Sequence, residues 1–289
     1  MIVVFNPTAG RRRAQLLWRV LDVLVENGVR IDLARTSWRG HATDLAREAA
    51  SSGRRMVVAA GGDGTVAEVA AGLLGSPARL GIIPLGTANV LAHELGLPMQ
   101  PRAVAAMLAF GRTRPLWPGI VDTRTGTRLF VQMVGAGLDA QVVHRLSLPL
   151  KRLLGRSAYV LQTVGEAVRY GYAPLRVCID GAELPAASVV VCKGRLYAGP
   201  YLLAPDACSC APGFTVALFG AGGTLAALGY GAALPLNLLP YAGGLSFLRG
   251  RKIEIRADSC VPAQADGDAA GGTPVVVRDA DCSIEVVVE

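Results

Sequence analysis

The chain has 289 residues, room for two domains of ordinary size, and 52% of them are hydrophobic. A net charge of +7 favours anionic partners, whether nucleic acid, anionic lipid surfaces or polyphosphates. Aromatic residues are only 6% and interleave with no basic run, which sets nucleic acid aside as a partner.

The chain opens on an apolar strand, Ile2 to Phe5, with no charged-then-apolar leader, so a cytoplasmic protein is expected. Asn6-Pro7-Thr8-Ala9-Gly10 follows, then Arg11, Arg12 and Arg13, a solvated helix start or a phosphate or membrane contact. Leu16, Leu17, Val20, Leu21, Leu24 and Val25 keep helical spacing, and Asn27-Gly28 ends that helix. Val29 to Thr36 alternates as a strand, His41 to Ser51 reads as a helix ended by Gly53, and Met56 to Ala60 is a buried strand. The glycine loop Gly61-Gly62-Asp63-Gly64-Thr65 leads into a helix from Val66 to Leu74. Leu80 to Ile83 is the next strand, followed by Pro84-Leu85-Gly86-Thr87-Ala88-Asn89 and a helix through Leu95. Alternating strands and helices predict a mainly parallel α/β domain covered on both faces, residues 1–122.

Beyond Pro115–Asp122 the pattern changes. Leu129 to Val134 reads as one strand, Gly135 to His144 as a glycine-led turn and helix, and Arg156 to Tyr170 as another helix. Strands then dominate: Leu175 to Ile179, Ser188 to Cys192, Phe214 to Phe219, Lys252 to Arg256, Val275 to Val277 and Ser283 to Val288. Asp180-Gly181 between apolar runs predicts a hairpin. The second half, 123–279, is expected to be a mostly antiparallel β-rich, sandwich-like domain, with the last strand near 280–289 able to return to the first. Ala207 to Leu248 carries no charged residue, yet Pro212, Pro235, Pro240 and many glycines interrupt it. A strand, a helix from about Thr224 to Leu234 and a loop beside a lipid-accepting cleft are expected there, rather than a membrane span.

The six cysteines form no C-x-x-C pair and lie mostly in apolar runs, so buried reduced thiols are expected. Cys208-Ser209-Cys210 has no histidine nearby to complete a metal site. His93 and His144 lack metal or triad spacing, His41 is expected at a helix start, and Asp139 is expected to be structural.

Four loops fall at the carboxyl ends of strands in the first domain: Asn6–Gly10, Thr36–Gly40, Gly61–Thr65 and Pro84–Asn89. Open α/β sheets bind ligands at that edge. A strand that passes through glycines into a helix start gathers backbone N–H groups and the positive helix end, a phosphate-binding arrangement. An ordinary strand-to-helix turn is the alternative. Asp63 would repel phosphate unless it acts through a metal ion, a positioned hydroxyl or a main-chain hydrogen bond. No Gly-Lys-Thr of the Walker type occurs.

The pieces N-P-T-A-G (6–10), T-S-W-R-G-H-A (36–42), G-G-D-G-T (61–65) and P-L-G-T-A-N (84–89) continue in order with G-A-G-L-D-A (135–140), Y-A-G (197–199), A-P-D-A (204–207) and A-D-G-D (265–268). Together they resemble the diacylglycerol kinase catalytic family, which includes sphingosine kinases and the bacterial soluble lipid kinases. The resemblance implies a two-domain ATP-dependent lipid kinase that binds its nucleotide between the domains and phosphorylates a lipid hydroxyl. It points to Asn6, Thr36, Gly61, Gly62, Asp63, Gly64, Thr65, Val66, Ala67, Thr87 and Asn89 as nucleotide contacts. It points to Asp268, at the third position of the family's Asp-Gly-Glu, as the proton acceptor, with Asp63 as the rival base. A hairpin turn at Asp266-Gly267 is the bland alternative.

Departures are visible. Ala67 stands where the family often has Asn, Val90 where it has Asp, and Asp268 where it has Glu. The soluble bacterial enzymes hold a structural magnesium in an Asp-Asp-Gly-type loop; the matching stretch, 208–214, has no carboxylate, so that site is expected to be absent and magnesium to arrive with ATP. A membrane lipid substrate, peripheral contact with an anionic membrane surface and a possible homo-oligomer complete the expectation. A non-catalytic nucleotide- or lipid-binding relative, and a kinase of a soluble substrate resembling NAD kinases, are the alternatives.

Overall fold

The structure, a computed structural model, describes residues 1–8, 14–145, 162 and 165–289. Ala9, Gly10, the three arginines and most of the helix expected over Arg156–Tyr170 lie outside the described residues; 165–169 is helical. The chain divides into two compact units, Met1–Pro118 with Asp281–Glu289, and Gly119–Ala280.

The first unit is built on strands β1 (Ile2–Phe5), β2 (Asp32–Arg35), β3 (Met56–Gly61), β4 (Arg79–Pro84), β5 (Arg112–Leu116) and the C-terminal β20 (Ile284–Val288), in sheet order β2-β1-β3-β4-β20-β5. β1 to β4 and β20 run parallel, and β5 returns antiparallel against β20. β5 lies at the sheet edge, which is where a strand tolerates Pro115. Its helices are α1 (Ala14–Glu26), α2 (His41–Ser51), α3 (Asp63–Leu73), α4 (Val90–Glu94) and α5 (Pro101–Phe110). On α1, Leu17, Val20, Leu21 and Leu24 form the buried stripe, while Val25 is exposed. A fully buried aliphatic side chain contributes about 1.5–3 kcal/mol, more than any helix propensity difference in this segment. The α2–α3 crossing is close: a Cβ on Gly72 would stand 2.4 Å from the Thr43 carbonyl oxygen.

The second unit holds two six-stranded sheets. One comprises β6 (Gly119–Thr123), β7 (Gly126–Phe130), β9 (Leu175–Ile179), β10 (Ala182–Ala186), β16 (Lys252–Arg256) and β19 (Val275–Asp279). The other comprises β8 (Met133–Ala136), β11 (Ser188–Cys192), β14 (Phe214–Phe219), β15 (Leu245–Gly250), β17 (Pro262–Ala265) and β18 (Asp268–Gly272). The short strands β12 (Leu196–Tyr197) and β13 (Tyr201–Leu202) pair with each other. Leu175, Val177 and Ile179 of β9 and Ile253 and Ile255 of β16 alternate into a core shared with Val189 and Val191 of β11 and Val216 of β14. β9 and β16 alternate buried and more exposed positions, whereas β8, β11 and β14 are buried almost throughout, and the two sheets share one core, as in a sandwich. The β9–β10 hairpin turns at Asp180 and Gly181, both with positive φ, as the Asp-Gly pair predicts.

The expected strand Leu129–Val134 is instead two strands in different sheets, β7 and β8, broken at Val131-Gln132. The break has a partner: the Asp266 carboxylate accepts the amides of Val131, Gln132 and Met133 at 2.7, 2.9 and 3.0 Å. Helix α6 (Leu138–Arg145) follows. In the uncharged stretch the helix Thr224–Ala233 forms as expected, whereas β15 carries no alternation strong enough to announce it. No described helix is long and apolar enough to cross a membrane.

The thiol expectation is corrected at two points. Cys208 and Cys210 are joined by a disulfide, their Cα atoms 5.4 Å apart, within the span such a bond accepts. Of the others only Cys192 is buried, and Cys260 is exposed.

Candidate functional site

In the first unit, parallel pairing brings the carboxyl ends of β1, β2, β3 and β4 to one edge of the sheet. The loops leaving that edge are tied together by side chains. Asn6 donates through Nδ2 to Thr65 Oγ1 at 3.1 Å, and its Oδ1 accepts from the amide and hydroxyl of Thr8. Thr36 donates its amide to the Phe5 carbonyl at 2.9 Å. Asn89, buried and left-handed at φ 47°, donates to the carbonyls of Pro84 and Gly86, closing its own loop.

The glycine loop is shorter than the sequence suggests. Gly61 ends β3, Gly62 is the N-cap of α3, and Asp63 already begins the helix, three residues before the expected start. Its glycines do not serve left-handed backbone. Gly62 is extended at φ −92°, and neither Gly61 nor Gly86 has positive φ. Gly61 is required because a Cβ there would meet Thr65 Oγ1 at 2.4 Å. Gly86 is required because its Cβ would stand 2.6 Å from the Gly62 Cα: two loop backbones touch with no room for a side chain. The amides of Leu85 and Gly86 both donate to the Gly61 carbonyl, at 2.9 and 3.2 Å, fixing that approach. Gly86→Ala should therefore lower the melting temperature by about 3–10 °C, the scale of an overpacked contact. Calorimetry with an ATP titration checks this; a variant that melts and binds like the parent would show that the loops separate freely.

Asp63 uses its carboxylate on the main chain. It accepts the Leu91 amide at 3.2 Å, near the start of α4, and burial raises its pKa while the backbone amides around α4 pull it back down. Gly64 is the second residue of α3. Thr65, Val66 and Ala67 are buried, and the Val66 amide is already bonded to the Gly62 carbonyl, so these three side chains pack inward and leave the open edge to backbone groups. Thr87 is exposed at the loop tip. The N-cap of α3, Gly62, supplies no side-chain cap, and the acid in the first turn is Asp63, so the helix start at this edge has a carboxylate beside its amides.

Two residues of this edge escaped the sequence reading. Glu68, on α3, reaches across to accept the amides of Gly40 and Ala42 at 2.9 and 3.3 Å, capping α2, whose own N-cap is a glycine at φ 88°. Its spacing of 28 residues from Gly40 gave no local signal; only the unpaired amides behind a capless helix start could have suggested a remote acceptor. Trp38, 62% exposed, stacks on His41 at a 3.8 Å centroid distance. His41 begins α2 as expected, and its Nδ1 accepts the Ser37 amide at 3.0 Å.

The second unit carries the other candidate. β17 and β18 form a hairpin that turns at Asp266 (φ 49°) and Gly267 (φ 79°), so the Asp-Gly pair is a turn. Asp268 is the first residue of β18, 46% exposed, with Arg128 Nη2 3.5 Å from its carboxylate. Beneath the turn, Gln264 accepts the Gly267 amide at 2.9 Å and donates to Asp139 at 3.0 Å. The Asp139 carboxylate is enclosed, and loss of solvation pushes its pKa up to about 6 against the hydrogen bonds from Gln264 and Tyr197. Gly135 is needed above it, since a Cβ there would meet Asp139 Oδ2 at 2.5 Å. Asp139 is thus structural within the second unit. Among the described residues no three His, Cys, Asp or Glu side chains gather as a metal cage. His144 contacts the Ala263 carbonyl at 2.9 Å.

The first unit is similar in sequence to known proteins. Residues 1–119 match the model of the diacylglycerol kinase catalytic domain. A "Probable lipid kinase YegS-like" protein of Chromohalobacter salexigens is 42% identical over 142 residues, 47% of this chain and 44% of that one. A "Diacylglycerol kinase" of Bacillus subtilis is 35% identical over 164 residues, 55% of this chain and 53% of that one. The chain spans about half the length of these curated relatives. The crystal structure of a Bacillus anthracis diacylglycerol kinase superposes with a TM-score of 0.76, covering 100% of this chain and 96% of that one at 20% identity, a likeness of fold.

Proposed function

We propose, since residues 1–119 belong to the diacylglycerol kinase catalytic-domain family, that the protein is a lipid kinase that transfers the γ-phosphate of ATP to a hydroxyl of a membrane lipid. The observation that carries this reading is the knitted edge of the first unit. Four strand-end loops meet an uncapped helix start, with two glycine backbones in contact. Phosphoryl transfer asks a protein mainly to position and neutralise, and that edge offers amides and a helix dipole to phosphate oxygens.

Within this reading each residue has a task. Asn6 and Thr65 hold the first and third loops together, and Asp63 of the third holds the start of α4, so the last loop is fixed against the third. Thr36 and Thr87 offer hydroxyls at the rim. Asp268 takes the proton from the attacking lipid hydroxyl, with Asp63 as the rival. Magnesium would neutralise charge on the transferring phosphoryl group. It fits as the nucleotide's own companion, because a phosphate-bound magnesium needs only one or two protein carboxylates.

A lipid substrate is supported by the uncharged stretch of the second unit. Leu225, Leu236 and Tyr241 are 87, 67 and 78% exposed, an apolar surface suited to lipid, and the chain's net charge of +7 suits an anionic bilayer. The test is transfer of labelled phosphate from ATP to lipids of a total extract, followed by a panel of diacylglycerol, sphingoid and related alcohols in mixed vesicles. A labelled lipid is the expected result. ATP turnover on a soluble acceptor, indifferent to vesicles, would replace the reading with a kinase of the NAD kinase type; nucleotide binding without any turnover would replace it with a binding protein.

A further inference from the structure

Lys193 follows β11 directly, and its side chain is fully buried, at 0% exposure. Its Nζ lies 2.5 Å from Asp279 Oδ1, 3.1 Å from the Gly213 carbonyl and 3.4 Å from the Ala211 carbonyl, and 4.4 Å from the centre of the Phe214 ring. The second oxygen of Asp279 accepts the Gly213 amide at 2.8 Å, so one carboxylate grips both the lysine and the loop. Three acceptors surround Nζ. An ammonium has three N–H bonds and satisfies all of them; a neutral amine has two, and would turn a lone pair toward an oxygen. Burial lowers the Lys193 pKa, and Asp279 opposes that shift.

Two carbonyls and a carboxylate are the oxygen set that a hard cation takes. The two carbonyls sit in the stretch, 208–214, where the resemblance places a structural magnesium and where the sequence offers no carboxylate of its own, and Asp279 brings the carboxylate from outside it. A divalent ion bound to these oxygens would have to sit about 2.1 Å from them, and therefore within contact distance of an ammonium already placed among them. Like charge and shared volume both forbid it. The residues do not fit the metal.

We propose that the Lys193 ammonium is the resident cation of the 211–213 loop, holding with a side chain the oxygens that a bound divalent ion would otherwise hold, so that this loop is metal-independent. The inference concerns the second unit alone and stands whether or not the chain transfers phosphate. It also accounts for the missing loop carboxylate: one lysine charge is balanced by Asp279, whereas a divalent ion would need a second acid.

Thermal melting of the full-length, nucleotide-free protein tests it. The parent should melt at the same temperature in excess magnesium chloride and in EDTA. Lys193→Ala should melt about 5–15 °C lower, because the half-buried Asp279 loses its counter-charge and faces an empty space. Magnesium or manganese should then raise that melting point and EDTA reverse the gain, with the response lost in Lys193→Ala combined with Asp279→Asn. Three outcomes overturn the proposal: a parent that gains stability from magnesium through Asp279, a Lys193→Ala protein as stable as the parent, or a destabilised variant that no divalent ion rescues. Should Lys193→Ala fail to fold, manganese binding to the parent read by paramagnetic resonance decides. No tightly held ion is expected, and one that disappears in Asp279→Asn sinks the idea.

Discussion

Asp268→Asn is expected to slow lipid phosphorylation about 10²–10⁴-fold, the contribution of a positioned general base, while leaving ATP affinity unchanged. The substitution keeps the side-chain shape and the turn, because the turn is made by Asp266 and Gly267. It removes the carboxylate charge, and with it both the proposed proton acceptor and the ion pair with Arg128, so Arg128→Gln serves as the control for loss of the pair alone. Asp63 offers the internal comparison. Its carboxylate accepts the Leu91 amide and interacts with the neighbouring amides of α4; an asparagine retains one acceptor oxygen but turns an NH2 toward the remaining amides, so Asp63→Asn should also loosen the loops, and its melting point is measured beside its rate. Single-turnover kinetics with parallel nucleotide titrations separates the two. Full activity in Asp268→Asn with loss in Asp63→Asn transfers the base to the first unit. Asp268→Glu measures reach: a gain in rate says that the shorter acid sits back from the hydroxyl, and activity appearing only in that variant identifies the parent as a binding protein.

The larger effect on stability is expected at Asp266. Its carboxylate accepts three consecutive amides, Val131, Gln132 and Met133, where two sheets exchange a strand. Bonds to a charged acceptor contribute about 1.5–3 kcal/mol each, and a buried donor left without a partner costs about 1–3 kcal/mol. Asp266→Ala should therefore lose about 3–6 kcal/mol, a fall in melting temperature of roughly 6–20 °C for a domain of this size. The alanine adds strain at φ 49°, which Asp and Asn tolerate better. Asp266→Asn should recover part of the loss, since it keeps one acceptor oxygen. Urea unfolding of the three proteins side by side checks the order; equal midpoints for Ala and Asp would mean that the strand break does not depend on this side chain.

These two acids also show what the sequence reveals and what it hides. Helix α2 and strands β3, β9, β11, β14 and β16 were legible because their apolar periodicity is local and strong. The Asp180-Gly181 turn was legible because left-handed backbone selects those residues, while at Asp266-Gly267 the turn was only the alternative to the family motif. The break at Val131-Gln132 was not, because the apolar run continues through it and its cause lies 135 residues away, at Asp266. Glu68 is hidden for the same reason, and so is Lys193, which follows an apolar strand and looks like an ordinary surface lysine until Asp279 is brought to it. The glycine motif was located correctly but for another cause: the space between Gly62 and Gly86 is a tertiary contact that no local rule anticipates.

One topological fact reaches into how the protein is made. The first unit is completed only by Ile284–Val288, which pairs with both β4 and β5, while the second unit is one continuous stretch from Gly119 to Ala280. A ribosome therefore releases all of the second unit's sequence before the first can close its sheet. Until then β4 and β5 expose strand edges toward each other's missing neighbour, the condition in which nascent chains invite chaperones or stray pairing. Translation arrest short of residue 284 should yield a folded second unit and a protease-sensitive first unit, and a C-terminal tag cleaved too deeply should reproduce that state in the finished protein.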